Sequence, residues 1–482
     1  MNINQQKTPI IDALKKFDNE LCSYFCIPSH HRGLGADSSF LGLVGSDMLK
    51  YDLTETPLTD DLHNPDGVIK EAEALAAELF GADRTFFLIN GTTCANEAMI
   101  LSAANNGEKI LVARNCHKSV LMGLILSGAQ PIYIEPEIST DFCTFGSISP
   151  SKVKLAFEKN PDIKAFILTS PTYYGICSDL EAIAEICHSY GALLLVDEAH
   201  GSHLSFSQQL PKSALESGAD MSAQSIHKTL GSMTQSSMLH VKKRRINIDM
   251  VDLSLKVVQS TSPSYILMAS LDGARHHMAL RGGEAVNTII STAEYIRSSL
   301  NAINGVYCCG SSPDDSVFAT DKTRLVFYID GISGFMVSDM LFKKYNIFTE
   351  MADFRNVIII IGSGDTHHDA YRLIEAVSQI ASSNEKKINF KFCSTGIPPA
   401  LLTPREAFFS PSERITLEKS VGKISAEMIA PYPPGIPVIY PGEIITHEIY
   451  EFISNAVQNG QHIHGFSDKT MKTIKTISHK DK

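Results

Sequence analysis

The stretch Leu193-Leu194-Leu195-Val196-Asp197-Glu198-Ala199-His200 decides the fold. Its apolar run is typical of a strand buried on both faces, and an acidic residue stands where that strand ends. About thirty residues later, Ser225-Ile226-His227-Lys228 places a lysine after a serine and a histidine. Because ligands of parallel sheets bind beyond the carboxyl ends of the strands, the two stretches predict an α/β protein with its active site at that edge.

A carboxylate followed by a lysine in this order is typical of a pyridoxal phosphate site. The aldehyde of this cofactor needs a lysine amine, and its ring nitrogen needs a carboxylate opposite, because only the protonated ring is a strong electron sink. Its phosphate needs hydroxyls and backbone N–H groups. We therefore expect Lys228 to bind the cofactor, Asp197 to pair with its ring nitrogen and Ser225 to bind its phosphate. Lys118 is the competing lysine, but Lys228 follows the aspartate strand with Ser and His before it.

Helical and strand-like segments alternate from about residue 66 to residue 260. The strand-like segments include 109–113, 131–135 and 165–169, and each is followed by a helical pattern or a turn. This alternation predicts a mostly parallel sheet covered on both faces. We expect an N-terminal arm (1–60), a large cofactor-binding domain (61–262), a small α/β domain (263–382) and a further C-terminal domain (388–482).

Asn90-Gly91-Thr92-Thr93 opens a predicted helix and offers two hydroxyls and unpaired N–H groups. Such a helix N-terminus attracts anions, so Thr92 and Thr93 are candidates for binding the cofactor phosphate. An ordinary threonine N-cap is the simpler interpretation of this turn in isolation. The presence of Lys228 and Asp197 favours the phosphate interpretation.

Two histidines are further candidates. His117 follows the strand ending at Ala113, and its flat ring could stack on the cofactor opposite Asp197; a surface histidine beside a helix start is the alternative. His200 is expected near the reacting carbon, with a polar loop histidine as its alternative. Asp197-Glu198-Ala199-His200 also matches the DEAH box of helicases, but that motif needs an upstream Gly-x-x-x-x-Gly-Lys-Ser/Thr phosphate loop, and the sequence has none.

Bulk properties exclude several classes. The 482 residues carry a net charge of −11 and a pI near 5.9, which argues against a nucleic-acid partner. Ten cysteines without a Cys-x-x-Cys pair indicate reduced thiols of a cytoplasmic protein. No apolar run of about 18 residues or signal-like N-terminus appears, so no membrane partner is expected. The pairs His30-His31 and His367-His368 lack a His-Glu-x-x-His spacing, and no metal is expected.

With these residues in place, the sequence resembles the bacterial Orn/Lys/Arg decarboxylases over nearly its whole length, about residues 8–465. It is similar to the short form, which lacks an N-terminal wing domain. The segments that carry the resemblance are Asp52-Leu53-Thr54-Glu55, Asp60-Asp61-Leu62-His63, Gly91-Thr92-Thr93 with Asn96, Asn115-x-His117-Lys118-Ser119, Asp197-Glu198-Ala199-His200-Gly201, Ser225-x-His227-Lys228, Thr234-Gln235-Ser236-Ser237 and Tyr432-Pro433-Pro434-Gly435-Ile436-Pro437. So many segments in one order make chance resemblance a poor explanation.

The resemblance implies an α/β aminotransferase-like fold (fold type I) and decarboxylation of arginine, lysine or ornithine to its amine. It implies homodimers or larger homo-oligomers with shared active sites, and a place in polyamine biosynthesis. By the same resemblance, pyridoxal 5′-phosphate would be bound at Lys228, paired with Asp197 and stacked on His117. The remaining implied cofactor contacts are Thr92, Thr93, Ser225, His227 and Ala199. Glu427 and His30 would face the substrate.

One segment departs from the family pattern. The N-terminal Pro-Gly-His-Lys-x-Gly of the family is here Pro28-Ser29-His30-His31-Arg32-Gly33. This departure leaves open another pyridoxal phosphate reaction, such as transamination or elimination, in a specialised pathway. A non-catalytic regulator with the same fold is a further alternative, although Lys228 and Asp197 argue against it.

Overall fold

The computed structural model describes residues 4–19, 23–310, 314–382, 394–431, 435–458 and 463–478. The helices are α1 (Pro9–Asn19), α2 (Ser38–Val44), α3 (Ser46–Lys50), α4 (Val68–Leu79), α5 (Gly91–Ala103), α6 (Lys118–Ser127), α7 (Pro150–Lys159), α8 (Leu180–Ser189), α9 (Ile226–Thr229), α10 (Ile248–Val258), α11 (Tyr265–Asn301), α12 (Gly334–Tyr345), α13 (His367–Ser382), α14 (Pro404–Phe409) and α15 (His447–Gln458). Two short 3₁₀ turns cover Leu204–Phe206 and Leu417–Ser420.

The strands are β1 (Arg84–Leu88), β2 (Lys109–Ala113), β3 (Gln130–Ile134), β4 (Ile138–Ser139), β5 (Thr144–Phe145), β6 (Ala165–Thr169), β7 (Ile176–Cys177), β8 (Leu193–Asp197), β9 (Met221–Gln224), β10 (Ser237–Val241), β11 (Val306–Cys308), β12 (Ala319–Thr320), β13 (Arg324–Ile329), β14 (Met351–Ala352), β15 (Val357–Ile360), β16 (Ser412–Thr416), β17 (Ala430–Pro431), β18 (Ile463–His464) and β19 (Thr473–Ile477). The chain divides into unit 1 (1–102, 196–208 and 212–287) and unit 2 (103–195, 209–211 and 288–482).

Unit 1 contains strands in the order β1-β10-β9, followed by the end of β8. The first two pairings are antiparallel, and His240 on β10 lies opposite both Thr85 on β1 and Ser222 on β9. Helix α4 packs against β1 through a buried face that includes Ile69 and Leu75. The apolar spacing of this helix predicts that face, since residues three and four apart share one side.

Unit 2 contains the first residues of β8 and then β6-β2-β3. Here β2 pairs in parallel with both neighbours, and Leu111 lies opposite Ile132 and Phe166. Four of the five residues in β2 and in β6 are buried, as expected for strands covered on both faces. The strands predicted from the continuous apolar runs are therefore present, within one residue of their expected bounds.

Other described parts of unit 2 include two smaller cores. Antiparallel strands β11-β13-β15-β14 pack with α12 and α13 around residues such as Phe327 and Leu341. The C-terminal segment packs α15 against β19 around Ile449, Ile453 and Ile474. The four-domain division drawn from the sequence stays a prediction, and its boundary between 382 and 388 falls at residues outside the described ranges. Among the described helices, none is long and apolar enough to cross a membrane.

Candidate active site

Asp197 ends β8 in unit 1 and is only 3% exposed. Its Oδ2 accepts a hydrogen bond from Asn96 Nδ2 at 2.8 Å, and its Oδ1 accepts one from the backbone N–H of Ala199 at 3.2 Å. The two donors fix the orientation of this carboxyl group at the carboxyl end of a buried strand. Ala199 reaches the site through its backbone.

Lys228 lies on the one-turn helix α9, which begins at the buried Ile226 and has the buried Ser225 as its N-cap. Its Nζ is 3.2 Å from Nε2 of His200, which is itself buried. An ammonium donates to an unprotonated ring nitrogen, so the His200 ring would carry its hydrogen on Nδ1 when it accepts from Lys228. The pair can hold one proton on either of two adjacent nitrogens, which is the property required of a proton donor or acceptor.

One face of α5 contacts both the N-cap of the lysine helix and the carboxylate of Asp197. Thr92 and Asn96 are four residues apart and share that face. The hydroxyl of Thr92 is 2.5 Å from that of Ser225, while Asn96 binds Asp197. The candidate phosphate residues Thr92 and Ser225 are therefore adjacent, and both are buried. The helix begins at Gly91, whose φ of +71° is a conformation that glycine adopts without strain.

The other predicted phosphate residues are placed differently. Thr93 is exposed in the first turn of α5. The Nδ1 of His227 is 2.8 Å from the carbonyl oxygen of Ser236, so Nδ1 carries the hydrogen and donates it. Burial, with the charge of Lys228, lowers the pKa of His227 despite that hydrogen bond. A neutral His227 would present an acceptor at Nε2, so donation to a phosphate would require it to gain a proton.

His30 belongs to the segment that departs from the family pattern. Its Nδ1 accepts a hydrogen bond from the backbone N–H of Gly33 at 3.0 Å, which leaves the ring hydrogen on Nε2. That nitrogen is 3.1 Å from Oδ2 of Asp52. Both ring nitrogens are therefore engaged within the N-terminal arm, and His30 is a half-buried residue that fixes the turn it belongs to.

His117 and Glu427 belong to unit 2. His117 is exposed and is the N-cap of α6, where its Nδ1 lies 2.8 Å from the Ser119 hydroxyl and accepts the Ser119 N–H. Glu427 is buried, and its two carboxylate oxygens accept the backbone N–H groups of Ser467 at 2.9 Å and Lys475 at 3.0 Å. Of the nearby motif, Tyr432-Pro433-Pro434 lies outside the described residues.

The sequence analysis did not predict the contact between Asn96 and Asp197; Asn96 appears there only as part of a motif. The four-residue spacing of Thr92 and Asn96 was the available signal, because it places both side chains on one helix face. Among the residues that the structure describes, no three or more His, Cys, Asp or Glu side chains are grouped so that they could hold a metal ion.

Comparisons with known proteins agree on one family. Residues 8–318 match the model of the Orn/Lys/Arg decarboxylase major domain, and residues 388–479 match that of its C-terminal domain. Arginine decarboxylases from Bacillus anthracis and Bacillus subtilis (strain 168) are 40% and 39% identical to the chain; each alignment covers 98% of this chain, and 98% and 99% of the relative. The lysine decarboxylase LdcF of Francisella novicida has the same fold, with a TM-score of 0.87 at 24% identity over 98% of this chain and 81% of that one.

Proposed function

Because this chain belongs to the Orn/Lys/Arg decarboxylase family, we propose that it removes the α-carboxyl group of a basic amino acid with pyridoxal 5′-phosphate bound at Lys228. The chain is an amino-acid decarboxylase of α/β fold. The observation that supports the residue assignment is one face of α5, where Asn96 binds the buried carboxylate of Asp197 and Thr92 contacts Ser225, the N-cap of the lysine helix.

The residues of unit 1 fit this cofactor. Asp197 is a buried carboxylate with two hydrogen-bond donors on it, which is the partner that a ring nitrogen requires. Thr92 and Ser225 place two hydroxyls together near the start of α5, and the N–H groups of that helix terminus favour a phosphate. Lys228 offers the amine. When bound, the cofactor supplies a sink for the electron pair that remains when CO₂ leaves.

The protein's own part in the reaction is charge, orientation and proton transfer. Asp197 would pair with the ring nitrogen of the bound cofactor, and Asn96 and the Ala199 N–H hold its carboxyl group in one orientation. Lys228 and His200, whose Nζ and Nε2 are 3.2 Å apart, can hold a proton and donate it to the substrate α-carbon in place of the departing CO₂. His117 would lie against the cofactor ring and Thr93 would contact the phosphate, as would His227 once its Nε2 carries a proton.

Reduction with borohydride tests the assignment of the lysine. Treating the cofactor-loaded enzyme and mapping its peptides should place the added mass on Lys228. Lys118 is a matched internal control, because it also follows a histidine and is more exposed. Label on Lys118 with Lys228 unmodified would overturn the assignment of the lysine. It would not count against the proposed decarboxylation itself.

We also propose that Glu427 recognises the distal cation of the substrate, as the family resemblance implies. A charge-assisted contact is worth roughly 1.5–3 kcal/mol, so Glu427→Gln should raise KM for the substrate about ten- to a hundredfold and leave cofactor affinity unchanged. Since Glu427 also accepts two backbone N–H groups, Asp468→Asn is the matched control, because Asp468 accepts the N–H groups of Thr470 and Thr473 in the same domain. An equal rise of KM in both variants would reduce Glu427 to a structural role.

The remaining expectations concern the cellular location, the oligomeric state and the pathway of the enzyme. We propose a cytoplasmic homodimer or larger homo-oligomer with shared active sites, whose amine product enters polyamine synthesis. The eight cysteines that the structure describes form no disulfide, which supports a reducing compartment. Phe25 and Leu34 of the N-terminal arm are almost fully exposed, which supports an interface there. Light scattering of the cofactor-loaded enzyme would give the mass directly, and a monomer would refute the assembly.

A further inference from the structure

Glu198 is a fully buried carboxyl group that the mechanism above does not use. Its Oε1 accepts the backbone N–H of Ala214 at 2.7 Å. Its Oε2 accepts hydrogen bonds from the Ser222 hydroxyl at 2.6 Å and from Gln224 Nε2 at 2.9 Å. All three partners belong to unit 1, and no described lysine or arginine pairs with Glu198. Burial of a carboxylate without a neighbouring cation costs free energy of folding. A functional role for Glu198 would explain why the group is present.

The hydrogen bonds continue from Glu198 in a row across the strands of unit 1. Gln224 Oε1 lies 3.2 Å from His240 Nε2, and His240 Nδ1 lies 2.8 Å from the Thr85 hydroxyl. Because Gln224 donates to Glu198 with its amide nitrogen, its oxygen accepts from His240, whose Nδ1 then accepts from Thr85. Burial lowers the pKa of His240 to about 3, so its ring is neutral. Every donor in the row points toward Glu198.

The position of Glu198 in the chain links this row to the proposed site. Glu198 directly follows Asp197, and Gln224 directly precedes Ser225, which starts the helix of Lys228. A single carboxylate therefore binds the end of the aspartate strand to the end of β9. Glu198 is the first residue after β8, so its hydrogen bonds act at the point where the aspartate strand ends.

We propose that Glu198 is a positioning residue, which fixes Lys228 relative to Asp197 through its hydrogen bonds to Ser222 and Gln224. This inference rests on the proposed function, since it assigns a task to the geometry of those two residues. Burial raises the pKa of Glu198 to about 7, with a contribution from Glu216 and opposed by its three donors. A glutamine at this position would avoid the free-energy cost of desolvating a carboxylate, yet the chain has a glutamate there.

Glu198→Gln tests the proposal with almost no change of shape. In one orientation the new NH₂ group would face the backbone N–H of Ala214, which cannot become an acceptor. In the other it would face the NH₂ group of Gln224, and the Gln224 amide could turn only if His240 moved its ring hydrogen from Nε2 to Nδ1. The row must lose a bond or reverse. We expect kcat to fall by about tenfold or more with KM changed less than about threefold, because displacement of a catalytic group by about 1 Å can cost a hundredfold. The pH midpoint of the visible absorbance of the cofactor-loaded enzyme should also shift.

Glu73→Gln is the matched control. Glu73 is also buried, and burial raises its pKa to about 7 as well. It accepts the Phe87 N–H at 2.9 Å and pairs with Arg84 at 2.7 Å, so its polar contacts join α4 to β1. We expect its variant to keep kcat within about twofold of the wild type and to leave the absorbance midpoint in place.

Ser222→Ala removes one donor and keeps the proposal testable if Glu198→Gln does not fold. It should lower kcat and shift the absorbance midpoint in the same direction, by less. Unchanged kcat and absorbance in the folded Glu198 and Ser222 variants, or equal losses in the Glu73 control, would overturn the proposal. If the wild-type enzyme converted no basic amino acid, the proposed function would fail, and the absorbance midpoints would still decide the role of Glu198.

Discussion

Arg114 and Glu443 form a buried ion pair in unit 2, and breaking it should open the surrounding structure. The side chains are 3% and 1% exposed, and two hydrogen bonds of 2.5 and 2.8 Å join the guanidinium to the carboxylate. The rings of Tyr133 and Tyr440 lie 4.9 and 4.5 Å from the guanidinium carbon. Arg114 follows β2 and Glu443 lies in the C-terminal segment, so the pair holds these parts of unit 2 together.

Arg114→Met would leave the Glu443 carboxylate buried without its cation. Removal of one partner from a buried pair costs about 3–5 kcal/mol. Since about 1.4 kcal/mol is a factor of ten, amide exchange in peptides covering 109–114 and 438–445 should accelerate roughly a hundred- to several-thousandfold. Hydrogen exchange followed by mass spectrometry measures both peptides in one experiment. The double replacement by Met and Leu should recover most of the loss, because no charge is then left unpaired.

Asp339→Asn supplies the control, because the Asp339–Lys343 pair on α12 has both side chains more than half exposed. An exposed pair contributes about 0–1 kcal/mol, so exchange near it should hardly change. If Arg114→Met altered exchange no more than Asp339→Asn does, or if the double replacement were as unstable as the single one, the reasoning about the buried pair would be refuted.

Two further predictions concern charge. Asp197→Asn should bind the cofactor but lower kcat by orders of magnitude, because each pKa unit lost at the ring nitrogen costs about 1.4 kcal/mol; near-normal turnover of the loaded variant would contradict the role of Asp197. Burial raises the pKa values of Glu73 and Glu198 from 4.5 to about 7, so each contributes about 3 kcal/mol of stability that is present below pH 4.5 and lost as the pH rises through 7. Thermal unfolding of the two Gln variants between pH 4 and 8 should show a flatter pH dependence than the wild type, and an unchanged slope would exclude these groups as its source.

Much of the fold could be predicted from local sequence. The strands β2, β6 and β8 are continuous apolar runs, and α8 between β6 and β8 has an apolar face formed by Leu180, Ile183, Ala184 and Cys187. The segments Arg84–Leu88 and Met221–Gln224 give a weaker signal, since Met-Ser-Ala-Gln has no long apolar run, and the antiparallel pairs of unit 1 were not foreseen. Helix α11 runs for 37 residues through Gly273, Gly282 and Gly283, although glycines considered alone predict the end of a helix.

The chemical groups of the candidate site could be predicted from the sequence, but the contacts between them could not. Residue types and their order indicated Lys228 and Asp197, because the cofactor needs an amine and a carboxylate. The contacts that hold them could not be read from spacing, since Asn96 binds Asp197 across 101 residues and Arg114 binds Glu443 across 329. Such partners are brought together only by the pairing of strands, which a single sequence does not specify.

The most direct test of the central claim uses arginine, lysine and ornithine that carry ¹³C in the α-carboxyl group. The wild-type enzyme loaded with pyridoxal phosphate is offered each in turn, and the gas and the soluble products are weighed by mass spectrometry. The account predicts labelled CO₂ and the matching unlabelled amine from at least one of the three, with neither product from Lys228→Ala. Retention of the label in a keto acid, or no conversion of any of the three, would contradict it.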